Sequence, residues 1–209
     1  MTHKTDSDDP ATIDHGRLSG ILAFLQAAEQ LKDTLRSGRT RTGRAESTAE
    51  HSWGLCLLVV LFGRDLPGID VEKLLKLCVV HDLGEAISGD VPAPAQKSGD
   101  RRRERERRDF QSLCAPLPSA LAGDLLSLWD EYAEGRTEEA RLAKAFDKLE
   151  TMLQHLVGKN PPDFDFSFNL AYGRRETDFH PLTRALREKV DELTRARLDE
   201  RRPTPARGG

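Results

Sequence analysis

Apolar residues in this chain recur at helical spacing far more often than they alternate. Leu18, Ile21, Leu22, Leu25 and Ala28 fall at i, i+3, i+4 and i+7 intervals and predict a first helix face. Ser47-Thr48-Ala49-Glu50 reads as a capping box, in which the serine hydroxyl accepts an early helix N–H and the glutamate reaches back to the serine N–H. That cap makes the apolar run after it a helix, through about Arg64, rather than a strand. Asp70 is placed to cap a third helix carrying Leu74, Leu77, Cys78 and His81, expected to stop near Gly89 before Pro92 and Pro94. A charged helix is expected over about 99–114 and another over about 118–133. Leu142, Ala145, Phe146, Leu149, Met152, Leu153 and Leu156 form the cleanest amphipathic stripe. A loop rich in Pro, Asp and Phe (160–168) precedes a last helix near 181–198. Period-two alternation is scarce, so the predicted class is all-α. Residues 1–14 and 201–209 read as disordered tails flanking one domain, 15–200.

Composition narrows the classes. A chain of 209 residues that is 37% hydrophobic and 32% charged is too apolar for wholesale disorder and too charged for a membrane protein. Its longest apolar run, 55–62, is far short of the roughly 20 residues a bilayer span needs. The N-terminus has no apolar core of a signal peptide. Thirty-two basic and 35 acidic residues leave a net charge of −3, which makes no electrostatic case for nucleic acid or an anionic membrane. The basic run 101–108 interleaves Glu104 and Glu106 and lacks nearby aromatics, as a solvated, self-paired helix face does. Cys56, Cys78 and Cys114 lack CxxC spacing and read as small buried hydrophobes of a reducing compartment, here the cytoplasm.

The residues that carry chemistry begin at His81-Asp82, with Glu85 following. At helical spacing the three share one side, and Leu74, Leu77 and Cys78 turn that side inward. Buried carboxylates need a compensator, and a divalent cation is one. His51 and Asp147, on two other apolar helices, are further candidate ligands. Singly, each has an ordinary alternative: a hydrogen-bonded core histidine for His51, an exposed helix charge beside Lys144 and Lys148 for Asp147.

The series His51, His81-Asp82, Asp147 resembles the H…HD…D signature of the HD-domain phosphohydrolase superfamily. The words ESTAEHSW (46–53), VVHDLGEAISGDVPAP (79–94) and AKAFDKLETMLQ (143–154) resemble its branch of bacterial 5′-deoxynucleotidases and eukaryotic HD-domain-containing relatives. The resemblance implies a helical HD bundle, four metal ligands (His51, His81, Asp82, Asp147) and a mixed N/O site suited to Mn, Co, Fe or Zn. Two-metal members carry extra histidines between the HD pair and the last aspartate; the six here are at 3, 15, 51, 81, 155 and 180, so one metal is expected. Glu85 matches the catalytic acid of the family. Asp90, with Val91, Pro92 and Ala93, matches the loop that contacts sugar and phosphate. Arg36 matches a family arginine followed by tryptophan, but this chain has Ser37 there, or Arg39 if a gap is allowed. Arg44 and Glu46 match a recurrent R-x-E, read as a buried ion pair or a substrate contact. A homodimer is also implied.

The resulting expectation is a metal-dependent phosphomonoesterase acting on nucleoside or deoxynucleoside 5′-monophosphates. The alternatives are a phosphohydrolase for another small phosphorylated metabolite and a non-catalytic nucleotide-binding module.

Overall fold

The computed structural model describes residues 14–92 and 101–201; the tails at 1–13 and 202–209, and Ala93 of the candidate loop, lie outside the described residues. Asp14 and Arg201, assigned to the tails, instead cap helices: Asp14 accepts from the Arg17 N–H at the start of α1 (His15–Ala28), and Arg201 closes α10 (Pro181–Glu200).

The Ser47 box is formed. Glu50 N donates to Ser47 Oγ at 3.2 Å and Ser47 N to Glu50 Oε2 at 2.9 Å, starting α2 (Thr48–Phe62). Asp70 likewise accepts from Lys73 N at 3.0 Å at the start of α3 (Val71–Val80). The remaining helices are α4 (Glu85–Ser88), α5 (Arg102–Leu113), α6 (Ser119–Glu134), α7 (Glu138–Val157), α8 (Ser167–Ala171) and α9 (Arg174–Thr177). The amphipathic stripe predicted for α7 makes it the central helix, packed against α2, α3, α6, α9 and α10. Its Leu142, Phe146, Leu149 and Met152 join Leu55 and Val59 of α2 and Leu74 and Leu77 of α3 in the main core. Burying each such side chain is worth about 1.5–3 kcal/mol. The fold is all-α with one small addition.

Four expectations are corrected. First, residues 35–47 hold an antiparallel hairpin, β1 (Leu35–Arg39) and β2 (Ala45–Ser47), with Leu35 opposite Ser47 and Arg39 opposite Ala45. Its strands are too short and polar to show a period. Second, α3 ends at Val80, not near Gly89. His81–Gly84 form a turn, and Gly84 packs so closely on α5 that a Cβ there would sit 2.5 Å from Glu106 O, an approach only glycine permits. Third, the α1 stripe is not a core face: Leu18, Leu22 and Leu25 are exposed, while Ile21, Phe24 and Ala28 pack on a second core around Phe110, Leu117 and Trp129. Fourth, Arg44 does not pair with Glu46. It forms an exposed bridge to Glu50, and Glu46 faces Arg36.

Candidate metal centre and active-site cleft

His51 enters from the first turn of α2, His81 and Asp82 from the turn after α3, and Asp147 from the middle of α7. His51, His81 and Asp82 each offer a ligand atom, all within 4.8 Å of one another. Asp147 joins through His51, with Oδ1 3.3 Å from His51 Nε2. Asp82 Oδ2 is 3.0 Å from His81 Nε2 and 3.9 Å from His51 Nε2.

The tautomers follow from the partners. His81 Nδ1 lies 2.8 Å from the Cys78 carbonyl, which can only accept, so Nδ1 carries the proton and Nε2 the lone pair. His51 Nδ1 donates to the Glu150 carboxylate in the same way. Both Nε2 atoms are buried and lack a hydrogen-bond partner among the described residues. Two orphaned imidazole nitrogens aimed at two aspartates are what a divalent cation satisfies, and the donor set of two nitrogens and two carboxylates fits one. Without such an ion, protons serve. Burial and Arg36 work against a charged His51, but the nearby Asp147 and Glu150 carboxylates outweigh them and push it up to about 10. Asp147 is driven well below the ordinary carboxylate range: burial opposes the charge, but Lys148, 2.8 Å from Oδ2, and His51 prevail.

Glu85 opens α4 beside this cluster and is almost fully buried, its Oε2 accepting from Thr48 Oγ1 at 3.2 Å. Burial, then the charges of Asp82 and Asp90, push its carboxyl up to about 9. A cation at the cluster would oppose that effect and draw it down toward neutrality, where a proton-transfer group works best. Arg36 lies on β1, its side chain 13% exposed, 3.6 Å from both Asp82 and Glu46 and bonded to Thr151 Oγ1 at 3.2 Å. The surrounding carboxylates hold it firmly charged despite burial.

Arg36, His81, Asp82, Glu85 and Asp147 line one cavity of about 590 Å³, within the size range of small-molecule sites, while His51 is fully buried. Arg36, Asp90, Val91 and Pro92 all reach it, and burial raises the Asp90 carboxyl. Only Ala93 is left without a description. The cavity also contains residues that sequence reasoning passed over. Arg102 and Glu106 pair at 2.7 Å, as the charge pattern suggests, yet both face the cavity. Tyr132 donates to Asp147 Oδ2 at 3.1 Å. His155 and Trp129 line the cavity as well. Glu150 had a readable signal, since it lies one turn beyond Asp147 on the same stripe. Its carboxylate occupies space that a Cβ at Gly54 would enter, 2.6 Å from Oε1.

The family model described as HD domain matches residues 28–187. The chain belongs to the HD-domain family. It is 30% identical over 181 residues to a Dictyostelium discoideum protein named 5′-deoxynucleotidase HDDC2, covering 81% of this chain and 95% of that one. To the Schizosaccharomyces pombe 5′-deoxynucleotidase hdd1 it is 33% identical, over 64% of this chain and 70% of that one. Among solved structures it is similar to a protein of Magnetospirillum magnetotacticum MS-1 described as a predicted metal-dependent phosphohydrolase. That match has a TM-score of 0.69 at 25% identity, and covers 89% of this chain and 93% of that one.

Proposed function

We propose that this HD-domain protein is a metal-dependent phosphomonoesterase hydrolysing nucleoside or deoxynucleoside 5′-monophosphates to nucleoside and phosphate. The observation that carries the reading is the convergence of two orphaned Nε2 atoms and two aspartates beside a buried glutamate at the base of a substrate-sized cavity. Kinship with 5′-deoxynucleotidases supports the substrate class.

In this reading His51, His81, Asp82 and Asp147 hold one divalent ion, with Mn, Co, Fe and Zn the candidates. Such an ion, when bound, supplies positive charge that polarises a phosphoryl oxygen and acidifies water. Arg36 holds phosphate oxygens opposite the attack. Glu85 orients the attacking water and takes its proton, and Thr48 fixes the orientation of that carboxylate. Asp90, whose carboxyl burial raises above its ordinary range, is the candidate donor to the leaving 5′-oxygen. Val91 and Pro92, which line the cavity, complete the sugar side. Ser37, where the resemblance implies tryptophan, leaves the wall open, which keeps other small phosphorylated metabolites as the second reading.

Residues 15–200 act as one unit in this proposal, as a homodimer in the cytoplasm. Support for pairing comes from Trp53, Leu57, Val60 and Leu61, which form an exposed apolar face at i, i+4, i+7 and i+8 on α2. The three thiols are free, in keeping with a reducing compartment. No helix among the described residues is long and apolar enough to cross a membrane, and nucleic acid has no part in the reading.

Two variants test the mechanism. Asp147→Ala should lose bound metal, measured by elemental analysis after reconstitution. Glu85→Ala should keep metal and lose most phosphate release, on the order of 10²–10⁴-fold for a general acid–base group. Unchanged turnover in Glu85→Ala, or full metal occupancy in Asp147→Ala, refutes the assignment.

A further inference from the structure

The cavity has a far end that phosphate chemistry does not use. Asp147, Thr151 and His155 line it at four-residue steps along α7, which puts His155 about 12 Å from Asp147 along the helix axis. An aromatic group gathers on His155. Phe164 meets it edge-on at 5.0 Å, Phe168 lies 6.2 Å away, and Phe168 stacks on Tyr172 at 4.8 Å and 29°. All three rings line the cavity. Phe164 and Tyr172 also pack on the main core, but among the described residues Phe168 packs on neither core.

The wall is held rigid from behind. His155 Nδ1 donates to Asn169 Oδ1 at 2.8 Å, and the buried Arg187 guanidinium donates to the carbonyls of Asn169, Leu170 and Tyr172 at 2.6–2.9 Å. A half-buried phenyl ring that does little for the core, fixed at the edge of a cavity otherwise rich in charge, offers a flat apolar surface. The ligand that fits is one with a charged end and a planar end.

We propose that Phe168, backed by Tyr172, is the platform on which the nucleobase of the substrate stacks. This rests on the hydrolase reading above and adds to it how a nucleotide is told from a phosphomonoester without a base. Stacking reads the face of the ring, so purines and pyrimidines are both accepted. It also supplies, from the chain after α7, the aromatic surface that Ser37 does not supply from β1.

The test compares adenosine 5′-monophosphate with ribose 5-phosphate, the same sugar phosphate without a base, on wild type, Phe168→Ala and Phe168→Trp. In Phe168→Ala, KM for the nucleotide should rise about tenfold with kcat within about twofold. Kinetics on ribose 5-phosphate should not change, and Phe168→Trp should restore the nucleotide KM. Equilibrium binding of both compounds is measured in parallel with chelator present, so that no turnover is needed. Equal losses on both compounds, or no loss on either, overturn the platform while leaving the hydrolase intact. If wild type hydrolyses neither compound, the hydrolase reading fails, and the binding arm still decides: the nucleotide must bind wild type about tenfold more tightly than Phe168→Ala.

Discussion

Replacing Glu150 by glutamine removes one negative charge from behind His51 and almost nothing else. Glu150 is buried, and its carboxylate accepts the Nδ1 proton of His51, which fixes Nε2 as the lone-pair nitrogen facing Asp82 and Asp147. A glutamine can still accept that bond through its amide oxygen but no longer makes the imidazole more basic. Alanine removes both the bond and the volume. Losing such an outer partner typically costs 10–100-fold in metal affinity, or about 1.4–2.8 kcal/mol. Glutamine should therefore fall near the lower limit and alanine near the upper. Competition against a chromophoric chelator reads the affinity directly. Gly54→Ala supplies an independent route to the same effect, because its new Cβ would lie 2.6 Å from Glu150 Oε1 and push the carboxylate off His51. In an ordinary helix that substitution would stabilise by about 1 kcal/mol. Here it should weaken metal binding even where the melting temperature rises. Wild-type affinity in both Glu150→Gln and Glu150→Ala would refute the claim that Glu150 sets the His51 tautomer.

Two further outcomes bear on stability. Arg187→Met should destabilise by about 3–5 kcal/mol, since it strips donors from three carbonyls and the close partner of buried Asp191; urea unfolding reads this, and a loss below about 1 kcal/mol would sink it. Metal-free protein should melt lower at about pH 9 than at about pH 6, because Glu46, Glu85 and His51 all hold protons longer folded than unfolded. Burial, then Glu150, pushes Glu46 up to about 7, while Glu85 rises to about 9 and His51 to about 10. The stability these three contribute is present below their unfolded values and is lost as pH rises through the folded ones. Bound metal should flatten that decline by taking the place of the protons, so a metal-free melting temperature that rises toward pH 9 would contradict the sign.

Periodicity and caps made most of the helices legible. Ser47 with Glu50, and Asp70 before Leu74, mark helix starts by local hydrogen bonds that need no tertiary context. The α7 stripe was legible because a central helix buries a wide face. What escaped was set by distant partners. The break after Val80 lies beside the close contact of Gly84 with Glu106 of α5, a tertiary neighbour that no window around His81 contains. The burial of Arg36 was not legible for the same reason: it depends on β1 lying against α7, with Thr151 of that helix and Asp82 of the turn after α3 meeting the guanidinium. The exposure of Leu18, Leu22 and Leu25 reflects which face of α1 found a neighbour, and a stripe alone does not specify that.

The broken helix also bears on how the proposed site is assembled. On a continuous helix, His81, Asp82 and Glu85 would project along one face with their backbone groups spent on i→i−4 bonds. The turn instead lets His81 Nδ1 reach back to the Cys78 carbonyl and brings Asp82 alongside His51, while Glu85 N closes onto Asp82 O at 2.9 Å and restarts a helix. Glu85 is thereby carried to Thr48 of α2, the helix that bears His51. Ligand candidates and proton carrier are thus fixed to each other through two backbone-anchored contacts rather than by packing alone. Gly84→Ala, whose Cβ has no room against α5, should accordingly disturb metal affinity and Glu85 together, read by chelator competition and phosphate release.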